Sequence, residues 1–128
     1  MAIKRCPADV AFSKAVRLSR GMRCENCGRN DGQIECCHII GRREKTVRWD
    51  TLNAVALCHS CHRAFTENPL DFTAWLREHV GEAQLEILSE KRRGIFKATD
   101  AERKLIAKHY REQIKLLEAG PHRLESYQ

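Results

Sequence analysis

Long apolar runs are missing from this chain. None approaches the roughly 20 residues that would span a bilayer. The opening residues, Met1-Ala2-Ile3-Lys4-Arg5, have no apolar stretch behind them of the kind a secretory signal needs. These absences exclude a membrane-spanning helix and point to the cytoplasm. Aromatic residues are also few, 6 % of 128 residues against 31 % charged. That balance describes a small domain with a modest core that rests partly on charged helices. No internal repeat and no low-complexity tract occurs. A chain this short buries only about two-thirds of its unfolded surface, so a structural metal would help to hold it together.

Two things are present in excess. The formal net charge is +6, which favours polyanionic partners because each phosphate contact releases condensed counterions. Seven cysteines occur, and in a reducing compartment they call for a metal before they call for disulfides.

The segment Asp9–Gly21 reads as a helix, with Asp9 as its cap and Gly21 as its end. Phe12, Ala15, Val16 and Leu18 form its apolar stripe, while Lys14, Arg17 and Arg20 lie toward other faces, either solvated or facing a polyanion. Gln33–Ile40 and Val55–Leu57 are short strand candidates, with Gly41 turning the chain between them. A helix is expected over Ser60–Thr66. Asn68-Pro69 begins another, with Phe72, Trp75, Leu76 and Val80 at helical spacing and Gly81 as the break. Leu85, Ile87 and Leu88 mark a further short helix, and Lys91–Gly94 reads as a basic turn. Thr99 and Glu102 have the capping-box spacing ahead of a long helix bearing Leu105, Ile106, Tyr110, Ile114 and Leu117, which Gly120-Pro121 ends. The tail from His122 is expected to fray. The organisation expected is a core over 1–68, a helical extension over 69–120 and a tail over 121–128. The fold class is α+β.

Two Cys-x-x-Cys pairs, Cys24/Cys27 and Cys58/Cys61, carry the strongest signal. A two-residue gap lets one tight knuckle present both sulfurs to one ion, and four thiolates around a tetrahedral Zn²⁺ make a closed structural site. Gly28 eases the first knuckle's backbone. A redox role would need a single pair at a helix N-terminus, and two matched pairs argue against it. Cys6 reads as a small packed residue, and Cys36 as one packing against the knuckles.

Between and beside the pairs stand Cys37-His38-Ile39-Ile40-Gly41-Arg42, Leu52-Asn53 and Leu57-Cys58-His59-Ser60-Cys61-His62, with fifteen positions from His38 to Asn53 and nine from Asn53 to His62. In order and spacing this set resembles the HNH (ββα-metal) endonucleases that carry a four-cysteine zinc frame. The resemblance implies a ββα-metal core with an added N-terminal helix and C-terminal helices. It implies hydrolysis of DNA phosphodiester bonds, with His38 as the general base that takes a proton from water. Asn53 would be the amide that fixes the loop carrying the base. One divalent cation (Mg²⁺, Mn²⁺, Ni²⁺ or Zn²⁺) would be held by the positions of Cys37 and His62. Imidazole suits proton transfer near neutral pH, and the crowded charge on phosphorus needs a cation. Cys37 departs from the family's usual Asp or His, and a thiolate is a poor partner for Mg²⁺. Three readings follow: Cys37 binds a softer ion, His62 and water hold the ion alone, or the site is degenerate and retains only DNA binding. Glu35, two residues along the same strand face, is a weaker candidate to replace Cys37. His59 reads as a solvated neighbour.

The loop between the strands carries Arg42, Arg43, Lys45 and Arg48, which suit contact with the DNA backbone. Trp49 beside them reads as a cover over the core. The wider layout, Phe12-Ser13 with Val16-Arg17-Leu18, then Arg48-Trp49-Asp50, Asn68-Pro69 and the C-terminal apolar positions, resembles the Rap/NinG-type recombination endonucleases of lambda-like phages. That likeness implies branched DNA as substrate and the bacterial host cytosol as the setting. A homodimer joined through Leu105, Ile106, Tyr110, Ile114 and Leu117 would place two sites on a symmetric substrate; the same residues could instead cover the core. The alternatives are a catalytically silent Cys₄ zinc protein that binds DNA, and an HNH nuclease of restriction, homing or packaging type.

Overall fold

The computed structural model describes residues 4–128. Among them the chain is mixed α and β. Helix α1 spans Pro7–Ser19, and a two-stranded antiparallel sheet follows, β1 over Ile34–His38 and β2 over Ala54–Cys58. A short 3₁₀ turn, Thr51–Asn53, leads into β2. Four helices follow: α2 (His59–Glu67), α3 (Pro69–His79), α4 (Glu82–Arg92) and α5 (Asp100–Ala119). No helix among the described residues is long and apolar enough to cross a membrane. The register pairs Ile34 with Cys58, Cys37 with Val55 and His38 with Ala54, so β1 ends beside the point where the 3₁₀ turn passes into β2. Strand β2 is buried at every position.

Helix α1 starts three residues earlier than a cap at Asp9 predicts. Pro7 supplies a preset φ in the first turn, and Asp9 sits at the third helical position, where its carboxylate accepts from the backbone N–H of Cys6 at 2.8 Å. Asp9 therefore braces the helix start from within the first turn instead of preceding it. The apolar stripe is as read: Phe12, Ala15 and Val16 are buried and Leu18 is partly covered.

Two apolar clusters meet at the hairpin. In the first, α5 lies along α1, and Phe12, Val16, Trp49, Ile106, Tyr110 and Ile114 pack together. In the second, Ile34, Val55 and Leu57 pack with Leu76 of α3, and Phe65, Phe72 and Trp75 cover them. The predicted sides of the adjacent cysteines are reversed: Cys36 packs on the α1 cluster, and Cys37 belongs to the cluster that includes Cys24 and Cys58. The face of α5 bearing Ile106, Tyr110 and Ile114 is covered by α1, so these residues are core and not a seam for a second copy; Leu105 stays 53 % exposed. Lys91 and Arg92 belong to α4 and do not form a turn, and Lys91 Nζ reaches the buried carboxylate of Asp50 at 2.6 Å. At the start of α5, Thr99 caps as predicted by accepting from Glu102 N, while the Glu102 carboxylate turns away to the Tyr127 hydroxyl.

The tail after α5 does not fray. Backbone groups of the 45–51 loop find partners in it: Trp49 N donates to Gln128 Oε1 at 2.7 Å, Thr51 N to Ser126 Oγ at 3.1 Å, and Gln128 Nε2 donates to Lys45 O at 2.8 Å. Tyr110 joins the two segments. Its hydroxyl donates to Trp49 O and accepts from Tyr127 N, the latter at 3.0 Å. Loop amides that cannot reach water need such partners. Tyr110→Phe is expected to lower unfolding free energy by about 1–3 kcal/mol, seen as a lower urea midpoint at unchanged slope.

Candidate active site and metal centre

The Sγ atoms of Cys24, Cys27, Cys58 and Cys61 all lie within 4.8 Å of one another. Tetrahedral Zn–S bonds of about 2.3 Å place sulfurs about 3.8 Å apart, and Cys27 Sγ stands 3.8 Å from Cys58 Sγ. Each knuckle aims a backbone N–H at its own first sulfur: Cys27 N at Cys24 Sγ and Cys61 N at Cys58 Sγ, both at 3.5 Å. Asn26 Nδ2 donates to Cys61 Sγ at 3.3 Å. Donors around the sulfurs favour thiolates, which is the form a metal needs. Gly28 turns the first knuckle at φ +79°, a left-handed conformation that favours glycine. These residues fit one bound Zn²⁺.

Glu25, between the first two cysteines, fastens that knuckle to the rest of the fold. Its backbone N donates to Ala56 O at 2.8 Å, and its carboxylate accepts from Ala56 N at 2.5 Å, from Arg20 at 2.8 Å and from His79 Nε2 at 2.7 Å. His79 in turn stacks on Trp75 at 4.5 Å. Helices α1 and α3 thus both hold the metal-binding loop against β2.

Asn53 is buried at the end of the 3₁₀ turn. Its Oδ1 accepts from Ile40 N at 2.7 Å, and its Nδ2 donates to Ile40 O at 2.8 Å and Val47 O at 3.1 Å. One side-chain amide therefore ties both ends of the loop that follows His38. The imidazole itself is held by Nε2, 2.9 Å from Arg48 O. A carbonyl only accepts, so Nε2 carries the proton and Nδ1 holds the lone pair. Burial, followed by the charge of Arg42, pushes the His38 pKa down to about 4, although the hydrogen bond to Arg48 O works the other way. The ring is neutral and basic at Nδ1 across the physiological range.

His38 lines a cleft of about 430 Å³ shared with Glu35 of β1, His62 of α2, Arg42 of the loop and Arg5, Ser13 and Arg17 from the α1 side. His62 lies on the first turn of α2, one residue beyond the second knuckle, and donates Nδ1–H to Glu35 Oε1 at 2.9 Å. Its Nε2 is then the nitrogen with a free lone pair. His59 donates to the other Glu35 oxygen at 3.1 Å. Burial alone would raise the Glu35 pKa, but the hydrogen bonds from His62 and His59 outweigh it and lower it, so the carboxylate is charged.

Two expected site residues are placed elsewhere. Cys37 is 5 % exposed and does not line the cleft. Its thiol points at His38 O, and burial, with the Glu35 charge second, pushes its pKa up to about 12. Cys37 is thus a protonated core residue, and the acidic group beside His62 is Glu35. Arg48 is 2 % exposed and paired with Asp9 at 2.5 Å; it does not face a ligand. Arg43 and Lys45 remain exposed, and Arg42 lies in the cleft. Arg17 and Arg5, from the α1 side, join it there. Helical spacing alone could not assign Arg17 to the cleft, because Lys14 shares its helix and points elsewhere. The chain matches no protein-family model, no curated protein and no solved structure.

Two outcomes follow from this geometry. The purified protein is expected to hold about one Zn²⁺ per chain, and Cys58→Ser should release it to a mild chelator that leaves the wild type loaded, as elemental analysis reads directly. For His38, the folded pKa near 4 lies below the ordinary 6.5, so its stabilising contribution is present above about pH 6.5 and is lost as pH falls toward 4. The stability of the wild type relative to His38→Gln is expected to shrink over that interval in thermal scans.

Proposed function

We propose that this chain is a metal-dependent DNA endonuclease of the HNH (ββα-metal) type, hydrolysing phosphodiester bonds. The observation that carries the reading is the placement of His38. It is a neutral imidazole with its Nε2 proton engaged by a loop carbonyl and its Nδ1 lone pair available. It lines the same arginine-edged cleft as the Glu35–His62 pair.

His38 takes the proton of an attacking water at Nδ1, the nitrogen left free by the bond from Nε2 to Arg48 O. Asn53 and the Arg48 carbonyl restrict how far the ring can move, which matters because a displacement of about 1 Å can cost about 100-fold in rate. His62 Nε2 would hold a divalent cation together with water, and Glu35 would orient the ring through its hold on Nδ1–H. Imidazole suits Zn²⁺ or Ni²⁺, and water suits Mg²⁺ or Mn²⁺, so the soft thiol of Cys37 is not needed. Such an ion, when bound, would supply positive charge to the phosphate and its leaving oxygen. Arg42, Arg17 and Arg5, with the exposed Arg43 and Lys45, are suited to the flanking phosphates.

Branched recombination intermediates as substrate, and a phage origin, rest on the resemblance of the wider layout to the Rap/NinG-type enzymes. A silent Cys₄ DNA-binding protein is the reading to which failure of cleavage would lead. Supercoiled plasmid and a synthetic four-way junction, each with Mg²⁺, Mn²⁺, Ni²⁺ or Zn²⁺, test both points. Wild type is expected to nick DNA, and His38→Ala to lose about 10²- to 10⁴-fold in rate while retaining its zinc, fold and DNA affinity. No cleavage by wild type with any of these ions sinks the nuclease reading.

A further inference from the structure

The cleft base is not held by its own strand alone. His38 donates to the carbonyl of the peptide that joins Arg48 to Trp49, so its ring orientation depends on where that peptide stands. Both side chains flanking the peptide end on one carboxylate. Arg48 forks onto Asp9, Nε to Oδ1 at 2.9 Å and Nη2 to Oδ2 at 2.5 Å, and Trp49 Nε1 donates to Oδ1 at 3.1 Å. Asp9 belongs to the first turn of α1, where it also accepts from Cys6 N. It lines the cleft and stands 3.8 Å from Arg42 Nη1. Burial alone would raise its pKa, but the bond from Arg48 and the backbone donor bring it down to about 2, so the charge is permanent at neutral pH. Two arginines press on His38 electrostatically, and Asp9 offsets them.

We propose that Asp9 is the positioning residue of the nuclease site: by anchoring both sides of the Arg48–Trp49 peptide, it fixes the carbonyl that selects the Nε2–H tautomer of His38 and so keeps Nδ1 as the base. This inference rests on the reading of His38 as base given above. It makes α1, which lies outside the hairpin and α2, part of the catalytic apparatus.

Asp9→Asn retains the side chain's shape but offers Arg48 only one acceptor and no charge. The plasmid-nicking kcat is expected to fall about 10- to 100-fold, as for other supports of an active group, with KM for DNA unchanged. The ¹⁵N spectrum of His38 should move from pure Nε2–H toward a mixture of tautomers. A folded Asp9→Asn protein that nicks within twofold of wild type and keeps the Nε2–H signature overturns the proposal. Removing one partner of a buried pair is strongly destabilising, so a milder variant is paired with it. Trp49→Phe deletes one anchor and keeps the ion pair, and is expected to lower kcat severalfold; unchanged kcat with an unchanged tautomer overturns the proposal equally. A wild-type spectrum showing Nδ1–H does so without any variant. If wild type itself never nicks, the nuclease reading falls instead, and the spectra alone decide whether Asp9 sets the imidazole.

Discussion

Cys24 and Cys27 precede β1, and Cys58 and Cys61 mark the passage from β2 into α2, so one ion held by all four sulfurs would close a loop around the whole hairpin. A two-stranded sheet is marginal by itself in water. Here it is closed at one end by the sulfur cluster and flanked by two small apolar clusters, neither of which is large. The same closure sets the start of α2, and with it the height at which His62 meets Glu35. Through Glu25 it also reaches α1 and α3. The cleft therefore inherits its shape from a site that takes no part in the chemistry proposed for it.

At the opposite end of the hairpin no metal ligand occurs, and polar side chains do the same work. Asn53 joins Ile40 to Val47, Asp9 gathers Arg48 and Trp49, and Tyr110 with the 126–128 segment receives the remaining amides. A buried ion pair such as Asp9–Arg48 is a weak source of net stability, because desolvation offsets most of its attraction. Its value lies in direction: a guanidinium fork and an indole N–H accept few alternative geometries. The loop that holds His38 is thus rigid through directional bonds, where an apolar contact would permit sliding.

Much of this layout was legible in the residues. The paired cysteine spacing located the sulfur cluster, since a knuckle is a local structure encoded in four consecutive positions. The helices followed from their apolar periodicity, and Asn53 was recognisable as a bridging amide. What stayed hidden depends on distance along the chain. Arg48 stands among Arg42, Arg43 and Lys45 and looks as solvated as they are; only its meeting with Asp9, 39 positions away, removes it from the surface. Asp9 itself resembled an ordinary helix cap. Cys37 occupied the position of a ligand in the resemblance, yet strand alternation and the packing of Val55 and Leu57 place its thiol in the core. The terminal residues showed no periodicity at all, because they serve as single hydrogen-bonding partners and not as an apolar face.

The division into two apolar clusters leaves one indole in each. Trp49 is sealed in the helical cluster, with the guanidinium groups of Arg48 and Arg103 over its ring at 4.9 and 5.5 Å. Trp75 lies half-covered in the other, stacked among Phe65, Phe72 and His79. Their surroundings differ in polarity and in access to water, so their emission maxima and quenching should differ as well. The molecule carries a separate optical reporter for each half, and loosening of the four-cysteine side is distinguishable by fluorescence from loosening of the helical pair.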